Sequence, residues 1–430
     1  MNTARYVSNV DKQRRTRDEN PTVRDAAILR VRDQQATDEA TAWDRAARAG
    51  LPEPDLYGTT LVVKACFDVE GWTTDAASKV LANRPAAKQD APIVKALRSA
   101  GAVVVGHSNM TEFAFGALGT NPHHGTPLTP LDPNGERIAG GSTSGGAVAV
   151  ASGFADVALG SDTSGSVRIP AAFCGVVGFK PSQGRYASAG MIFLSHSFDV
   201  PGIIARDVST IRKVDRALTG DELETGPQFA GRRFLVPPDF ALRDADPQIA
   251  SAFEAAILHL EDHGAIVVRD DFADLDTYGP VAVDGGIIIA EAYAYHREML
   301  AEHPDLYDRR VGPRIALGEK VAAWRYANAK QRLRKLGETF HARLKGFDAL
   351  LTPTVPFLPP RVQDLSEDDA YLTLNRQSFR LTEIANRIDA PSISIPIHPS
   401  KPIGLLFTGR RGGDAAVLNL ALAAEKALPD

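Results

Sequence analysis

Apolar and polar residues alternate along this chain in two periods, one typical of strands and one typical of helices. Residues 59–63 form a short β-rich run that ends at Lys64. Residues 91–98 have helical spacing, Gly101 stops this helix, and residues 102–105 follow as a strand. A helix followed by a glycine and a short apolar strand is typical of α/β folds.

The same order returns further along the chain. Over residues 248–269, a helix through His259 is followed by Gly264 and by the strand 265–268. Residues 22–49 also have roughly helical spacing, which predicts one or two N-terminal helices packed on the body. Two long helices, two buried strands and a closing helix are predicted over residues 286–300, 320–344, 348–354, 391–396 and 413–428. This alternation favours an α/β fold with a largely parallel or mixed sheet covered by helices on both faces.

The domain organisation follows from the absence of repeats and long linkers in the sequence. We expect one large domain over residues 57–430, with the N-terminal helices over residues 1–56 packed against it. A hydrophobic content of 44% and a charged content of 23% are ordinary for a soluble globular protein.

Charge and cysteine content exclude some classes of function. A net charge of −5, without a basic face, argues against nucleic acid as a partner. The polar first 20 residues predict no secretory signal, and no apolar stretch is long enough to span a membrane. Cys66 and Cys174 are expected to be buried free thiols, which suits a reducing cytosol. We therefore predict a cytoplasmic protein that uses neither membrane nor nucleic acid.

Two turns rich in glycine and serine, at residues 140–146 and 160–166, flank the small apolar run 147–159. Serine hydroxyls on such turns are either nucleophiles or turn caps. Gly141 and Gly146 have the spacing of a phosphate loop, but no Lys-Ser or Lys-Thr follows them. Neither turn contains the Gly-x-Ser-x-Gly of a nucleophile elbow or a Ser-x-x-Lys pair.

The two turns instead resemble the signature of the amidase signature family. The matching residues are Gly-Gly-Ser-Thr-Ser-Gly-Gly at 140–146 and Gly-Ser-Asp-Thr-Ser-Gly-Ser-Val-Arg-Ile-Pro-Ala at 160–171. The resemblance extends from about residue 57 to the C-terminus and is weakest over residues 210–345. It implies an α/β/α sandwich around a large mixed sheet, and a serine hydrolase that cleaves amides. Ser164 departs from the pattern, because many members have glycine there.

The resemblance also assigns roles to individual residues. It implies that Ser166 is the nucleophile, that Lys64 is the base, and that Ser142, preceded by a cis peptide after Gly141, relays the proton between them. The family's strand and lysine are usually followed by Asp, whereas Ala65 stands here. It further implies an oxyanion hole formed by the backbone N–H groups of Thr163, Ser164, Gly165 and Ser166.

The chemistry of amide hydrolysis explains why such residues are needed. An amide is a poor electrophile, so its hydrolysis needs an activated nucleophile, a proton shuttle and stabilisation of the oxyanion. An exposed lysine has a pKa of about 10.4 and would be protonated at neutral pH. Burial can lower that pKa far enough for Lys64 to act as a base. A lone lysine after a strand is usually a surface group, so the assignment depends on all three residues together.

Several further residues have two readings. Asp162 and Arg168 are expected to pair and hold the turns, or to form a bare surface salt bridge. Ser144 and Ser161 either join the Lys64–Ser142 network or cap turns. Residues that could contact the substrate, or serve only packing or structure, are Ala114, Phe115 and His196. His123 and His124 are adjacent, which is a poor spacing for metal binding, and no cluster has zinc spacing.

These observations predict a cofactor-independent and metal-independent amidase that acts on a small amide through an acyl-enzyme on Ser166. Two alternatives remain open, namely an amidotransferase subunit that passes ammonia to a partner-bound substrate, and a non-catalytic ligand-binding protein on the same scaffold. Many members of the family are homodimers, so the resemblance is compatible with a homodimer here. The sequence identifies neither the acyl group nor the leaving amine.

Overall fold

The computed structural model describes residues 5–222, 229–272, 274–398 and 400–428. Within these ranges the chain forms one mixed sheet of eleven strands. The strands are β1 Ile28–Val31, β2 Thr60–Lys64, β3 Val103–Ser108, β4 Val157–Asp162, β5 Val177–Lys180, β6 Val200–Ala205, β7 Arg233–Val236, β8 Ile266–Arg269, β9 Ala349–Pro353, β10 Ser392–Pro396 and β11 Gly404–Thr408.

Helices surround this sheet. In the same ranges they are α1 Arg5–Asp18, α2 Pro21–Ala27, α3 Asp33–Arg48, α4 Pro92–Ser99, α5 Ser144–Ala151, α6 Arg168–Phe173, α7 Val208–Thr219, α8 Pro238–Ala241, α9 Pro247–Asp262, α10 Tyr278–Asp284, α11 Ile287–Glu302, α12 Gly312–Ala316, α13 Ala323–Arg343, α14 Asp368–Phe379, α15 Glu383–Arg387 and α16 Asp414–Ala427. Short 3₁₀ turns connect some of them.

The strand order across the sheet is β1-β3-β2-β4-β6-β5-β10-β11-β9-β7-β8. Strand β2 is parallel to both of its neighbours, β3 and β4. The pairs from β4 through β6, β5, β10 and β11 to β9 are antiparallel. Strands β9, β7 and β8 are again parallel. The sheet is therefore mixed, as the sequence predicts.

Strands β2 and β4 bring the candidate residues together. Every residue of both strands is buried, in agreement with their apolar sequences. Parallel neighbours have their carboxyl ends at the same edge of a sheet. Lys64 at the end of β2 therefore lies beside Ser161 and Asp162 at the end of β4.

Helix α5 explains the run of small residues between the two turns. Residues 144–150 of this helix are all buried. Its close packing requires a residue without a side chain at Gly145, where an added Cβ would lie 2.2 Å from the carbonyl oxygen of Ala27 and 2.6 Å from the backbone nitrogen of Asn109. The second turn leads in the same way into the buried helix α6.

Most predicted elements are confirmed, with ends that shift by a few residues. The predicted strand 102–105 is β3, which continues to Ser108, and the predicted helix through His259 with its following strand is α9 and β8. The long helices 286–300 and 320–344 correspond to α11 and α13. Strands 348–354 and 391–396 and the closing helix correspond to β9, β10 and α16.

The prediction of helix through residues 22–49 is wrong at its centre. Residues 28–31 are the edge strand β1, which pairs antiparallel with β3 and separates α2 from α3. The apolar residues there fit a helical period, but β3 offers unpaired backbone groups at the sheet edge, and pairing satisfies them. Local periodicity contains no information about such a partner.

A further helix, α1, lies before this region. Its buried residues Tyr6, Val10, Gln13 and Arg17 share one face, and the Tyr6 hydroxyl donates to the carbonyl oxygens of Thr59 (2.6 Å) and Gly101 (2.8 Å). The division into residues 1–56 and 57–430 stays a prediction. None of the helices in the described ranges is long and apolar enough to cross a membrane.

Candidate active site

Lys64 lies at the centre of the candidate site and is fully buried. Its Nζ donates to Ser142 Oγ at 2.7 Å and to Ser161 Oγ at 2.9 Å. A longer contact of 3.3 Å joins the same Nζ to the carbonyl oxygen of Ser161. Lys64 thus contacts both glycine–serine turns through uncharged oxygen atoms.

The environment of Lys64 favours the neutral amine. Burial lowers the pKa of Lys64 from its ordinary value of 10.5, although the carboxylates of Asp199 and Asp162 act in the opposite direction. The described residues place no carboxylate within ion-pair distance of Nζ. In its neutral form the amine has only two N–H bonds, and its lone pair is able to accept the proton of the Ser142 hydroxyl across the same 2.7 Å contact.

The loop that carries Ser142 is held by backbone hydrogen bonds. The peptide bond between Gly141 and Ser142 is cis. The Ser142 carbonyl accepts from the backbone N–H of Thr111 at 3.1 Å, and the Gly141 N–H donates to Ala117 O at 2.6 Å. A Cβ at Gly141 would lie 2.7 Å from the backbone nitrogen of Gly119, so glycine is required for this close approach.

Ser166 lies on the second turn, between β4 and α6, and is buried. Its carbonyl oxygen accepts from the backbone N–H of Thr143 at 3.1 Å, which joins the two turns. Within the described ranges, the hydroxyls of Ser142 and Ser166 form no direct hydrogen bond. Transfer of a proton between these hydroxyls is therefore part of the proposal below.

Asp162 organises the backbone around Ser166. Its carboxylate accepts from the backbone N–H groups of Gly165 (2.8 Å) and Val167 (3.0 Å), which flank Ser166. It also accepts from Arg168 Nε at 3.1 Å and Nη2 at 2.9 Å, in a pair whose side chains are both fully buried. Burial alone would raise the pKa of Asp162, but Arg168 holds that pKa at about 2. The pair is therefore buried, and the alternative of a surface salt bridge is wrong.

The four backbone N–H groups predicted for an oxyanion hole differ in their partners. The Gly165 N–H donates to Asp162, so it is already engaged. The N–H groups of Thr163, Ser164 and Ser166 have no acceptor among the described residues. These three are the groups that remain able to bind an oxyanion.

Residues more than 200 positions further along the chain support the second turn. Thr382 Oγ1 donates to the carbonyl oxygen of Ser164 at 2.6 Å. Asn386 Nδ2 donates to the Asp162 carbonyl oxygen at 2.9 Å, and its Oδ1 accepts from Arg168 at 2.7 Å. Arg387 donates to Thr163 O at 3.1 Å and to Ser164 Oγ at 2.8 Å. The sequence analysis missed all three residues.

Asp199 is a second carboxylate that the sequence analysis did not assign. It accepts from Thr163 Oγ1 at 2.6 Å and from the backbone N–H groups of Leu194 (2.7 Å) and Ser195 (3.2 Å). Burial raises the pKa of Asp199 to about 6, despite these hydrogen bonds. Its place at the end of Ser-His-Ser-Phe-Asp, just after the signature, was the signal available in the sequence.

The two supporting serines have different outcomes. Ser161 lies in the Lys64 network, as described above. The Ser144 hydroxyl is buried and has no hydrogen-bond partner among the described residues, so it joins neither the network nor a cap. Ser144 is the first residue of α5, and its Cβ would lie 3.0 Å from a Cβ added at Gly119, which shows how closely this loop packs on it.

The predicted substrate contacts lie in different surroundings. Ala114 and Phe115 are buried, and the Arg314 guanidinium lies 4.1 Å from the Phe115 ring centroid. His196 is exposed, and its ring packs on Phe193 at 4.2 Å between centroids. His196 is therefore not a buried structural histidine. Contact of any of these three with a substrate stays a prediction.

The cysteines are buried, and one of the adjacent histidines contacts a buried carboxylate. Cys66 and Cys174 are buried free thiols, and burial raises their pKa values to about 11 and about 12. His123 contacts the buried carboxylate of Glu112 at 2.9 Å. The described residues contain no group of three or more His, Cys, Asp or Glu that could hold a metal ion.

The chain is similar to known proteins over most of its length. The family model described as Amidase matches residues 14–418. A 2-amino-5-chloromuconic acid deaminase of Comamonas testosteroni is 33% identical, over 91% of this chain and 86% of the relative. A glutamyl-tRNA(Gln) amidotransferase subunit of Symbiobacterium thermophilum is 30% identical, over 93% of this chain and 89% of the relative.

A solved structure is also similar over nearly the whole length. A crystal structure described as an amidase superposes with a TM-score of 0.88 at 30% identity. The match covers 98% of this chain and 96% of the other. The mixed sheet with its covering helices is therefore the fold of known amidases.

Proposed function

The chain belongs to the amidase family and is a hydrolase of carbon–nitrogen amide bonds, and we propose that it acts through an acyl-enzyme on Ser166. The observation that carries this proposal is the fully buried Lys64, whose Nζ lies 2.7 Å from Ser142 Oγ. A lysine that only packed in the core, or only donated to a substrate, would not need to contact two serine hydroxyls while buried. A lysine that acts as the base of a proton relay needs this arrangement.

The first step is attack by Ser166 Oγ on the amide carbonyl carbon. The Ser166 proton passes to Ser142 Oγ while the Ser142 proton passes to the neutral Lys64 amine. The carbonyl oxygen becomes an oxyanion, which the free N–H groups of Thr163, Ser164 and Ser166 would stabilise. Such donors act strongly because they are fixed before the charge develops.

Collapse of this intermediate breaks the carbon–nitrogen bond. The proton held on Lys64 returns through Ser142 to the leaving nitrogen, which departs as a neutral amine or ammonia. A water molecule then attacks the ester carbonyl of the acyl-enzyme and gives its proton to the same relay. Release of the carboxylic acid restores the Ser166 hydroxyl, so protons and bonds balance without a cofactor.

Labelling with a fluorophosphonate, followed by intact-mass measurement, tests this proposal. We expect a single adduct on the wild type, no adduct on Ser166→Ala, and labelling slowed by about 10²–10⁴-fold in Ser142→Ala and Lys64→Ala. Ser152→Ala, at the end of α5, is a control that should label normally. An adduct that persists in Ser166→Ala would mean that another residue is the nucleophile.

The substrate is a small amide, and a panel of amides should follow the labelling. Amides that carry a carboxylate belong in this panel, because one relative is named for a chlorinated muconic acid. Hydrolysis is measured as released ammonia or amine, with Ser166→Ala as the blank. Ala114→Leu and Phe115→Ala then test whether these residues contact the substrate, since a contact would change KM between substrates of different size.

A role in an amidotransferase complex is the second candidate, because one relative is a subunit of such an enzyme. This role requires a stable partner protein that binds the acceptor. Affinity purification of the tagged chain from its own organism distinguishes the two functions. A stoichiometric partner that raises ammonia transfer supports the amidotransferase role, whereas full amide hydrolysis by the isolated chain supports the amidase.

We also propose a cytoplasmic location and a homodimer. The location is supported by the two buried free thiols, a state that a reducing compartment maintains. Cell fractionation tests the location, and size-exclusion chromatography with light scattering tests the dimer. A mass equal to the 46.1 kDa chain at all concentrations would exclude the dimer.

A further inference from the structure

A cavity of about 660 Å³ lies beside the turn that carries Ser166, and its lining is rich in cations. Helix α13 forms one side, and the end of α15 with the following residues forms another. Lys330, Arg334, Arg387 and Arg411 line it, together with the carboxylates of Glu338 and Asp389. Neither Lys64, Ser142 nor Ser166 is among its lining residues.

Two of the cations that line the cavity have no carboxylate partner among the described residues. Arg411 pairs with Asp389 at 3.0 Å, and Arg387 pairs with Glu383 at 2.9 Å. Among the described residues, Lys330 and Arg334 form no salt bridge, and Lys330 donates only to Ser197 Oγ at 2.7 Å. They lie four positions apart on α13 and therefore share one face of that helix. Glu338, one turn further along α13, lies on the same face and carries the opposite charge.

Arg387 adds a third cationic side chain to this lining. Its side chain is only 2% exposed, and its Nε is buried without a hydrogen-bond partner in the described chain. Its guanidinium also packs on the Phe198 ring at 4.3 Å from the centroid. Arg387 is nevertheless among the residues that line the cavity, so its positive charge acts on an anion bound there.

We propose that this cavity binds an anion of the carboxylate or phosphate type, held by Lys330, Arg334 and Arg387. His341 also lines the cavity, but its Nε2 is engaged with the carbonyl oxygen of Ile388. The excess of unpaired cations over Glu338 favours an anion over a cation, and the polar lining argues against an apolar ligand.

Arg387 connects this site to the candidate oxyanion turn. Its two terminal nitrogens donate to Thr163 O and Ser164 Oγ, so an anion that orders the guanidinium also restrains that turn. Ser164 stands where many family members have glycine, and its hydroxyl is the group that Arg387 uses. Arg387 acts here as a positioning residue. This second part of the inference depends on the proposed function, whereas anion binding does not.

Isothermal titration calorimetry of the Ser166→Ala protein tests binding without turnover. The probes are sodium malonate and inorganic phosphate, with sodium chloride adjusted to constant ionic strength. We expect saturable binding at one site, weakened at least tenfold in Lys330→Gln/Arg334→Gln. Arg332→Gln is the matched control, because Arg332 is exposed on the same helix and does not line the cavity. Absence of saturable binding, or equal weakening by the control, would overturn the proposal.

Kinetics on the active enzyme then distinguish two sources of the anion and test the coupling. If the anion is the acid group of the substrate, malonate raises KM for an acid-bearing amide and leaves a neutral amide unaffected. If it is a separate effector, malonate changes kcat for both amides. Calorimetric binding without either kinetic effect would overturn the link through Arg387. Absence of activity in all samples would instead contradict the proposed function and leave the calorimetry intact.

Discussion

Asp162 and Arg168 form an ion pair in which both side chains are fully buried, with 2.9 Å between Oδ1 and Nη2. The same carboxylate accepts the backbone N–H groups on either side of Ser166. Arg168 also donates hydrogen bonds to the carbonyl oxygen of Thr382 and to Asn386 Oδ1, near the other end of the sequence. One carboxylate thus ties the Ser166 turn to strand β4 and to a distant part of the chain.

The first prediction concerns this pair. Asp162→Asn leaves the Arg168 charge buried without its partner, and removal of one member of a buried pair typically costs about 3–5 kcal/mol. We expect a loss of that size in the free energy of unfolding, measured by urea denaturation. Glu298→Gln, which breaks an exposed pair with Arg297, is the control and should cause no measurable loss. Equal stability of the two variants would contradict the role of Asp162.

The second prediction concerns the pH dependence of acylation. The proposed relay needs the neutral Lys64 amine, so we expect the labelling rate to rise with pH, by about tenfold per pH unit, until Lys64 is deprotonated. Because burial lowers the pKa of Lys64, this rise should level off below the ordinary lysine value of 10.5. Fluorophosphonate labelling between about pH 5 and pH 11 measures the profile, a range that spans the ordinary lysine pKa.

Lys64→Ala provides the control for this profile. The residual labelling rate of this variant should not show the same rise with pH, because no other group is proposed to accept the proton. A rise that persists unchanged in Lys64→Ala would assign the ionisation to another residue. A rise that continues past 10.5 in the wild type would show that the lysine pKa is not lowered.

The third prediction uses Gly165. Its φ is +139°, and an added Cβ would lie 2.2 Å from Thr382 Oγ1, so Gly165→Ala must displace the turn that carries the proposed oxyanion donors. We expect labelling to slow by about 10²–10³-fold, as for the loss of an oxyanion donor. Gly184→Ala is the matched control, because Gly184 also has a positive φ (+79°) but has nothing within 4 Å of an added Cβ. Equal rates in the two variants would show that the contact with Thr382 is unimportant.

The parts of the site that could be predicted from sequence are those in short, ordered motifs. Lys64 ends an apolar strand, and the two turns match the family signature in order, so the resemblance identifies these residues. The residues that could not be predicted support the turns from far away. Thr382, Asn386 and Arg387 contact Asp162–Ser164 only because α15 folds against them, and no local pattern indicates that contact.

The elements of the fold also divide into those that the local sequence predicts and those that depend on distant partners. Elements such as α9 and β8 have their own period and their own glycine stop, and they form as predicted. Strand β1 does not, because residues 28–31 become a strand only through pairing with β3. Ser144 is similar, since its sequence suits a cap or a hydrogen-bonded network, but tertiary packing leaves its hydroxyl without a partner in the described chain. Tertiary partners decide these cases.

The last prediction concerns Asp199, whose negative charge raises the pKa of Lys64 against the effect of burial. Burial raises the pKa of Asp199 to about 6, so its charge is present mainly above that pH. Asp199→Asn removes the charge, lowers the pKa of Lys64 further, and should move the rise in labelling rate to lower pH. The same variant also disturbs the hydrogen bond from Thr163, so the maximal rate should fall while the midpoint moves. Asp68→Asn is the matched control, because Asp68 lies four residues after Lys64 and bonds Thr74 instead, and its midpoint should equal that of the wild type. A midpoint in Asp199→Asn that stays fixed or moves to higher pH would show that Asp199 does not act on Lys64.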